Sequence, residues 1–250
     1  MANRLDSLEH ERSITQAQMV HTEKLAALGE LAAGLTHEIR NPLDGMLECV
    51  HYLEVDPNKG ARQAKFLPMI RNGLQRINEV MQQMLTFARS GNISTTEVCH
   101  TAEIIDSLEL MLQGQLMSHK IKLTWHKPGT CVCLCNKQGI LQALLNLVLN
   151  SVDAVEKSSD PEILIDAQCD SQWVYIAVED NGPGIPETLR EKIFEPFYTT
   201  KSSGEGTGLG LAISRQLVRA VGGDLELSQE PSVLSGARFT IRIPIGYEEE

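Results

Sequence analysis

Residues 28–43 read LGELAAGLTHEIRNPL, and this stretch decides how the first part of the chain folds. Its large apolar residues recur at steps of three and four, at Leu28, Leu31, Leu35 and Ile39. Such spacing places them in one stripe along an α-helix. His37 falls outside the stripe, so the stretch predicts a helix that packs one face against a partner and displays a histidine on another.

His37 is followed directly by Glu38, and Pro42 comes shortly afterwards. A proline inside a helix removes a backbone hydrogen bond and bends or ends the helix, so we predict a kink between Glu38 and Pro42. A lone His-Glu pair on a helix is more often a solvated surface pair on a coiled coil than a functional one. The pair by itself therefore leaves the role of His37 open.

A second helical pattern follows a turn signalled by Pro57 and Gly60. Its apolar residues keep helical spacing at Phe66, Ile70, Leu74, Ile77, Met81, Met84 and Ala88. Pro68 is expected near the start of this helix, or to kink it. Two helices joined by a short loop form an antiparallel hairpin whose apolar stripe one mate does not fully bury. We therefore predict a homodimer in which two hairpins form a four-helix bundle, preceded by a weakly packed helical lead-in at residues 1–22.

The chain has 250 residues, of which 42% are hydrophobic and 22% charged, as is typical of globular proteins. Its formal net charge of −11 and the lack of a Lys/Arg cluster argue against a nucleic-acid partner. No apolar run approaches the ~20 residues that span a bilayer, and the N-terminus lacks the apolar core of a signal peptide. We expect no membrane span in this chain and a cytoplasmic location.

The six cysteines suggest no defined metal site. Cys131, Cys133 and Cys135 alternate, which on a strand would place all three on one face, whereas Cys49 and the others are scattered. An alternating pattern of this kind is compatible with a metal site, but no fourth ligand has a recognisable spacing. Reduced, half-buried thiols are the favoured interpretation.

The second half of the chain mixes strand and helix patterns. The polar segment 90–98 is predicted to be a hinge. Helices are predicted at about 101–119, 138–156 and 208–221, and strands at 121–126, 130–135, 162–168, 173–180, 224–228 and 237–245. Strands on one side and helices on the other suggest a two-layer α/β sandwich, so the whole chain is predicted to be an α+β multidomain protein.

Two glycine-rich runs stand out in this half. DNGPGI at 180–185 puts a carboxylate at a strand end before two glycines, and GEGTGLGL at 204–211 lies just ahead of a helix. Backbone amides at such a helix start can bind an anion. Neither a P-loop nor a dinucleotide-binding glycine pattern occurs. Either run alone is typical of ordinary turns, so the two must be considered together with the rest of the chain.

Several motifs of this chain, and the order in which they occur, resemble those of a known family. ELAAGLTHEIRNPL resembles the phospho-acceptor box of the sensor histidine kinases of two-component systems. LLNLVLNSVDAV, DNGPGI, IFEPFYTTK and GEGTGLGLAIS follow in the order of the N, G1, F and G2 boxes of that family's ATP-binding domain. The resemblance implies a dimerisation and histidine phosphotransfer domain at residues 23–92 and a catalytic ATP-binding domain of the gyrase, chaperone and mismatch-repair ATPase type at 98–247.

The resemblance also implies roles for individual residues. Asn150 would bind Mg²⁺ with Asn146 assisting, Asp180 would accept a hydrogen bond from the adenine amino group, and Lys201 would pair with a phosphate. Glycines beside the base would be Gly182 and Gly184. The loop wrapping the triphosphate would contain Gly206, Thr207, Gly208, Leu209 and Gly210. Phe194 and Phe197 would belong to the lid, and Thr240 to the strand behind adenine. Without the four boxes, the paired Asn residues could equally be buried structural amides.

The resemblance implies the activity as well. His37 would be autophosphorylated from ATP, with Glu38 accepting or orienting its proton, and the phosphoryl group would pass to an aspartate of a response regulator. Glu38 and Asn41 would also position water for dephosphorylation of that regulator. The superfamily's hydrolases place a glutamate where this chain has Asn146, which cannot act as a base. The rival functions are a non-catalytic dimeric scaffold that senses nucleotide and an ATP-driven conformational machine, and Asn146 argues against the latter.

Overall fold

The computed structural model describes residues 39–55, 59–89, 96–126, 131–201, 206–228 and 232–247. The chain divides into two compact units, one comprising Met1–Gly91 and Thr199–Thr207 and the other Asn92–Tyr198 and Gly208–Glu250. His37 and Glu38, the lead-in at 1–22 and the hinge residues 90–95 lie outside the described residues, so the predicted kink between Glu38 and Pro42 also remains a prediction.

The described part of the first unit includes two helices, α1 over residues 39–55 and α2 over Lys59–Arg89. A Cβ on Gly73 of α2 would lie 2.7 Å from Cγ of Met46 on α1. The rings of Tyr52 and Phe66 stack at 5.8 Å. From the first contact to the second, the residue number rises on α1, from Met46 to Tyr52, and falls on α2, from Gly73 to Phe66. The two helices are therefore antiparallel, as predicted. Pro68 lies well inside α2 rather than near its start.

Among its described residues, the second unit contains a five-stranded sheet, a two-stranded sheet and three helices. Its elements are β1 (Glu97–His100), α3 (Thr101–His119), β2 (Lys122–His126), β3 (Val132–Cys135), α4 (Lys137–Val155), β4 (Glu162–Cys169), β5 (Trp173–Asp180), α5 (Gly210–Arg219), β6 (Asp224–Leu227) and β7 (Arg238–Pro244). Short 3-10 turns occupy Glu187–Leu189 and Lys192–Phe194. The large sheet has the order β2-β4-β5-β7-β6, in which β2 is parallel to β4 and the other pairs are antiparallel.

Alternation along the strands separates the two faces of the large sheet. One face carries buried apolar residues: Ile163, Ile165, Val174, Ile176, Val178, Phe239, Ile241 and Ile243. Helix α4 contributes Ile140, Leu144, Leu147 and Val148 to the same core. Asn136 caps α4 by accepting a hydrogen bond from the Gly139 amide at 2.7 Å. The predicted α/β domain, with strands on one side and helices on the other, is therefore confirmed.

The small sheet departs from the sequence-based expectation. Strand β1 includes Glu97 and Val98, which were expected in the hinge, and it pairs with β3 in antiparallel register. The predicted strands at 121–126 and 130–135 therefore do not pair with each other, because β2 joins the large sheet and β3 joins β1. Periodicity indicates that a strand exists but not which neighbour it selects.

The cysteines also differ from expectation. Cys131, Cys133 and Cys135 are all buried, as a shared strand face requires. Cys131, however, forms a disulfide with Cys169 at the end of β4, so the prediction of reduced thiols was wrong for these two residues. Cys99, Cys133 and Cys135 are free thiols, and no group of three metal-binding side chains occurs among the described residues.

No helix in the described part of the chain is long and apolar enough to cross a membrane.

Candidate functional site

The carboxylate of Asp180 lies at the end of β5 and is only 2% exposed. Its Oδ1 accepts hydrogen bonds from the Gly182 amide at 2.9 Å and the Ala237 amide at 3.1 Å. Its Oδ2 accepts one from the Ser151 hydroxyl at 3.2 Å. Burial raises the pKa of Asp180, while the Ala237 and Gly182 amides and the Ser151 hydroxyl oppose that rise by stabilising the anion.

Glycines surround this carboxylate because there is no room for larger residues. A Cβ on Gly182 would lie 2.9 Å from Asp180 Oδ1 and 3.0 Å from the Cβ of Ala154. A Cβ on Gly236 would collide with both the backbone oxygen and Oδ1 of Asp180. Gly184 has a φ of +70°, a conformation that glycine adopts without strain. The backbone thus comes as close to the carboxylate as packing allows.

Asn146 and Asn150 lie one turn apart on α4, and both are half-buried. The side-chain amide of Asn146 donates to the Gly210 carbonyl at 3.3 Å and to the Ser214 hydroxyl at 3.2 Å. The Gln142 amide donates in turn to Asn146 Oδ1 at 3.3 Å. Asn146 therefore connects α4 to the first turn of α5, a role that its sequence position alone did not indicate.

The glycine-rich segment reaches α5 through a tight turn at Gly208. Gly208 has a φ of +65°, and a Cβ there would collide with the backbone of Phe197. The Phe197 amide donates to the Gly208 carbonyl at 3.0 Å. Leu209 precedes the helix and is 2% exposed, and no side chain caps the start of α5 at this described position. Amides at such a helix start can bind an anion.

The segment 199–207 belongs to the first unit. Within it, the Lys201 amide donates to the Thr199 hydroxyl at 3.1 Å. A Cβ on Gly206 would lie 2.9 Å from the same hydroxyl and 3.1 Å from Cδ of Lys201, so Gly206 is also held at close range. Thr207 ends this segment, and residues 202–205 are outside the described part.

Phe194 of the IFEPFYTTK motif, residues 193–201, packs against Phe239 of the large sheet. Phe194 contacts Phe239 edge-on at 6.3 Å, and the guanidinium of Arg215 lies over the Phe194 ring at 4.6 Å. Arg215 Nε also approaches Asp224 Oδ1 at 3.2 Å. Phe194 is therefore held by groups from β7 and α5.

Thr240 is not brought to Asp180. It pairs with Ala177 on β5, three positions before Asp180, and lies on the sheet face opposite Phe239 and Ile241. Ala237 occupies the place beside the carboxylate instead. Sequence reasoning also missed Ser151. The adjacent Asn150 pointed to this part of α4, but nothing in the sequence showed that the next residue faces β5.

Two family models match separate parts of the chain. Residues 27–93 match the "His Kinase A (phospho-acceptor) domain". Residues 135–247, which contain the Asp180 site, match the "Histidine kinase-, DNA gyrase B-, and HSP90-like ATPase" family. The chain belongs to the histidine kinase family. The predicted family is confirmed, as is the order of a helical phospho-acceptor domain and an ATPase-type domain.

Individual histidine kinases are similar over most of this chain. The signal transduction histidine-protein kinase AtoS of Escherichia coli strain K12 is 35% identical over 234 residues, which cover 94% of this chain and 38% of AtoS. The sensor histidine kinase ZraS of Klebsiella oxytoca is 32% identical over 244 residues, which cover 97% of this chain and 51% of ZraS. The chain thus spans 38% to 51% of the length of these two relatives.

A solved histidine kinase complex has a similar fold. The crystal structure of histidine kinase ThkA in complex with the response regulator protein TrrA matches with a TM-score of 0.73 and 25% sequence identity. The match covers 90% of this chain and 64% of the matched chain.

Proposed function

We propose that this chain is an ATP-dependent protein histidine kinase that autophosphorylates His37 and passes the phosphoryl group to an aspartate of a response regulator. The observation that carries the proposal is the buried Asp180 carboxylate, which is held by two amides and a hydroxyl in a domain of the ATPase family. The same chain contains the phospho-acceptor domain that supplies the nucleophile. The ATPase-type domain that would bind the phosphoryl donor and the domain that carries the phosphoryl acceptor thus belong to one polypeptide.

Adenine recognition is assigned to Asp180. A carboxylate oxygen accepts more than one hydrogen bond, so Oδ2 can accept the adenine amino group beside the Ser151 hydroxyl. Gly182 and Gly184 let the backbone approach the base. Thr240 has no part in this contact, because it lies on the other face of the sheet.

The triphosphate is assigned to the glycine-rich segment and the start of α5. Backbone amides there would bind phosphate oxygens, with the positive end of the helix facing the negative charge. Lys201 would add a cation to the same phosphates. The residues concerned are Gly206, Thr207, Gly208, Leu209 and Gly210.

The two Asn residues fit a Mg²⁺ ion because their side-chain amide oxygens are the hard donors that it prefers. Asn150 would be the principal ligand and Asn146 would assist while holding α5. When bound, Mg²⁺ offsets the negative charge of the triphosphate. Neither amide can take a proton from water, so this site favours transfer to another nucleophile over hydrolysis.

His37 is the proposed nucleophile. An ordinary imidazole pKa of ~6.5 leaves the ring largely neutral at physiological pH, with a lone pair on one nitrogen. That nitrogen attacks the γ-phosphorus, the bond to the bridging oxygen breaks, and ADP leaves. Glu38 accepts the imidazole proton. The phosphorylated imidazole then transfers the phosphoryl group to the regulator's aspartate, and the TrrA-bound relative supports a response regulator as partner. This cycle needs a movable joint, and we place it in the part of the predicted 90–98 hinge that precedes β1, because Glu97 and Val98 are paired with β3.

Dimerisation through the α1–α2 hairpin completes the proposal. Large apolar side chains remain exposed on the hairpin, including Leu43, Leu47, Leu74 and Met81. A second copy would bury them in a four-helix bundle. Asn41 is exposed on α1, three residues after Glu38, where the two side chains would position water for dephosphorylation of the regulator.

The test is autophosphorylation with radiolabelled ATP. Wild-type protein should give an acid-labile, base-stable label, and His37→Gln should abolish it. His51→Gln is the matched control, because His51 is an exposed histidine on the same hairpin and should not affect labelling. Persistent labelling of His37→Gln would overturn the assignment. Binding of Mg-ATP without phosphohistidine would favour the scaffold, whereas steady hydrolysis without label would favour the conformational machine.

Two further experiments test the route of phosphoryl transfer in the dimer and the role of Asn41. Mixed dimers, with His37→Gln in one chain and Asn150→Ala in the other, show whether phosphate passes within a subunit or between subunits. Asn41→Ala should slow dephosphorylation of the regulator while autophosphorylation continues. Undiminished dephosphorylation would contradict the assigned role of Asn41.

A further inference from the structure

Glu179 is a buried charged residue next to Asp180 that the proposed chemistry does not use. It is 2% exposed and lies on the sheet face opposite Asp180, because successive residues of a strand point to opposite faces. Its Oε2 accepts hydrogen bonds from the Ser232 hydroxyl at 2.9 Å and the Val233 amide at 2.8 Å. Arg238 Nε lies 3.5 Å from its Oε1.

These partners all come from one part of the chain. Ser232 and Val233 lie in the connection between β6 and β7, and Arg238 begins β7 directly across from Glu179. Burying a carboxylate is unfavourable unless donors surround it, and here the donors come from residues more than fifty positions away in sequence. Glu179 therefore fixes the start of residues 232–237 against β5.

Asp180 fixes the end of the same segment. The Gly236 amide donates to the Asp180 carbonyl at 3.0 Å, and the Asp180 amide donates to the Ala237 carbonyl at 3.1 Å. The Ala237 amide donates to Asp180 Oδ1. Two adjacent residues of β5 thus hold both ends of residues 232–237, one from each face of the sheet.

We propose that Glu179 is a positioning residue for adenine recognition. By fixing residues 232–233, it keeps the Ala237 amide on Asp180 Oδ1, which orients Oδ2 toward the adenine amino group. This inference rests on the proposed function of Asp180. Glu179 does not touch nucleotide, and its effect passes through the connection before β7.

The geometry explains why the charge matters. A neutral glutamine at position 179 keeps one side-chain oxygen but replaces the other with an amide nitrogen, which cannot accept from Ser232 or Val233. Ser232 and Val233 both donate to the same oxygen, Oε2, so a glutamine oxygen placed there keeps both bonds but turns the NH2 group toward Arg238 Nε, where two donors then face each other. In the opposite orientation both Ser232 and Val233 lose their acceptor inside the protein. Residues 232–237 shift, and the Asp180 carboxylate loses the amide that sets its orientation.

The experiment measures the affinity of the full chain for adenosine and inosine triphosphates. Inosine carries a carbonyl where adenine carries the amino group, so it lacks the donor that Asp180 recognises. Glu179→Gln should weaken adenosine triphosphate binding ~10-fold while inosine triphosphate binding changes less than ~2-fold. Glu226→Gln is the control, because Glu226 is an exposed strand residue of the same sheet and should leave both affinities unchanged.

The selectivity ratio distinguishes positioning from general stability. A variant that is merely less stable would lose affinity for both nucleotides equally, and an unchanged ratio in Glu179→Gln would overturn the inference. If that variant does not fold, Ser232→Ala decides, because it removes one donor and should reduce the ratio by a smaller factor. Failure of wild-type protein to bind adenosine triphosphate would reject the proposed function itself, whereas binding with an unaltered ratio rejects only the role of Glu179.

Discussion

Ser151 donates its hydroxyl to Asp180 Oδ2 at 3.2 Å, joining α4 to the end of β5 through a buried hydrogen bond. Burial raises the pKa of Asp180 and this bond counteracts the rise, so Ser151→Ala should raise the pKa further. Only the ionised carboxylate leaves both oxygens as acceptors. The pH below which adenosine triphosphate binding weakens should therefore move upward in Ser151→Ala.

The measurement is nucleotide affinity as a function of pH, with inosine triphosphate as the reference for titration of the phosphates. The pH dependence of inosine triphosphate affinity should be the same in wild type and Ser151→Ala. A Ser151→Ala protein whose adenosine triphosphate profile coincides with that of wild type would show that the hydroxyl has no influence on Asp180.

Gly236 leaves no space for a methyl group. A Cβ there would collide with the backbone oxygen and Oδ1 of Asp180, so Gly236→Ala should abolish tight nucleotide binding and destabilise the domain by roughly 1–3 kcal/mol. Gly114→Ala is the matched control on α3, where nothing lies within 4 Å of the added methyl. Because alanine favours helix, the control should gain about 0.5–1 kcal/mol. Urea unfolding checks both changes, and equal stabilities for the two variants would contradict the packing argument.

Asn146 is predicted to hold α5 through its amide hydrogens. Asn146→Asp keeps the shape but removes both donors, and it places a carboxylate beside the Gly210 carbonyl. Triphosphate affinity should fall, because the start of α5 loses its anchor to α4. Gln138→Glu adds the same charge at an exposed position on α4 and should bind as wild type does. Calorimetric titration separates the two, and tight binding by Asn146→Asp would show that the anchor is dispensable.

Asp224 gives a pH-dependent contribution to stability. Its burial favours the neutral acid, but hydrogen bonds from Arg219 and Arg215 outweigh this and lower its pKa from 3.8 to about 2. A carboxylate with a lowered folded-state pKa stabilises the fold above its unfolded pKa and loses that contribution as pH falls through the folded one. Asp224→Asn should therefore be less stable than wild type above about pH 4 and converge with it toward about pH 2. Urea unfolding along a pH series tests this, and a constant difference down to pH 2 would rule it out.

The sequence predicted most of the regular elements because their apolar residues repeat with the period of a helix or a strand. Helix α3 agrees with the prediction over Thr101–His119, and α4 and α5 lie within a few residues of their predicted bounds. Strand β1 was missed because a short strand on a polar segment has too little alternation to detect. The partner of β3 and the disulfide to Cys169 were missed because both depend on which distant strands adjoin.

In the candidate site, too, features with a local sequence pattern could be predicted, whereas contacts between distant parts of the chain could not. Asp180, Gly182 and Gly184 could be proposed as site residues from the sequence because a carboxylate before two glycines at a strand end is a local pattern. Ser151 and Ala237 reach Asp180 only through the packing of α4 and the pairing of the last strand, and no local pattern encodes these contacts. Thr240 lies on β7 beside β5, as predicted for a strand next to the site, but strand alternation turns its side chain to the face opposite Phe239 and Ile241.

Strand β7 comes last in the sheet's sequence order but lies inside the sheet, between β5 and β6. During synthesis the glycine-rich motifs and both Asn residues are therefore complete before Asp180 acquires the Gly236 and Ala237 amides. A nascent chain stopped before residue 236 would contain the recognisable nucleotide motifs yet lack the two amides that contact Asp180, the proposed adenine acceptor. Nucleotide capture is accordingly a property of the finished domain, and a truncated product should compete poorly for ATP despite carrying the motifs.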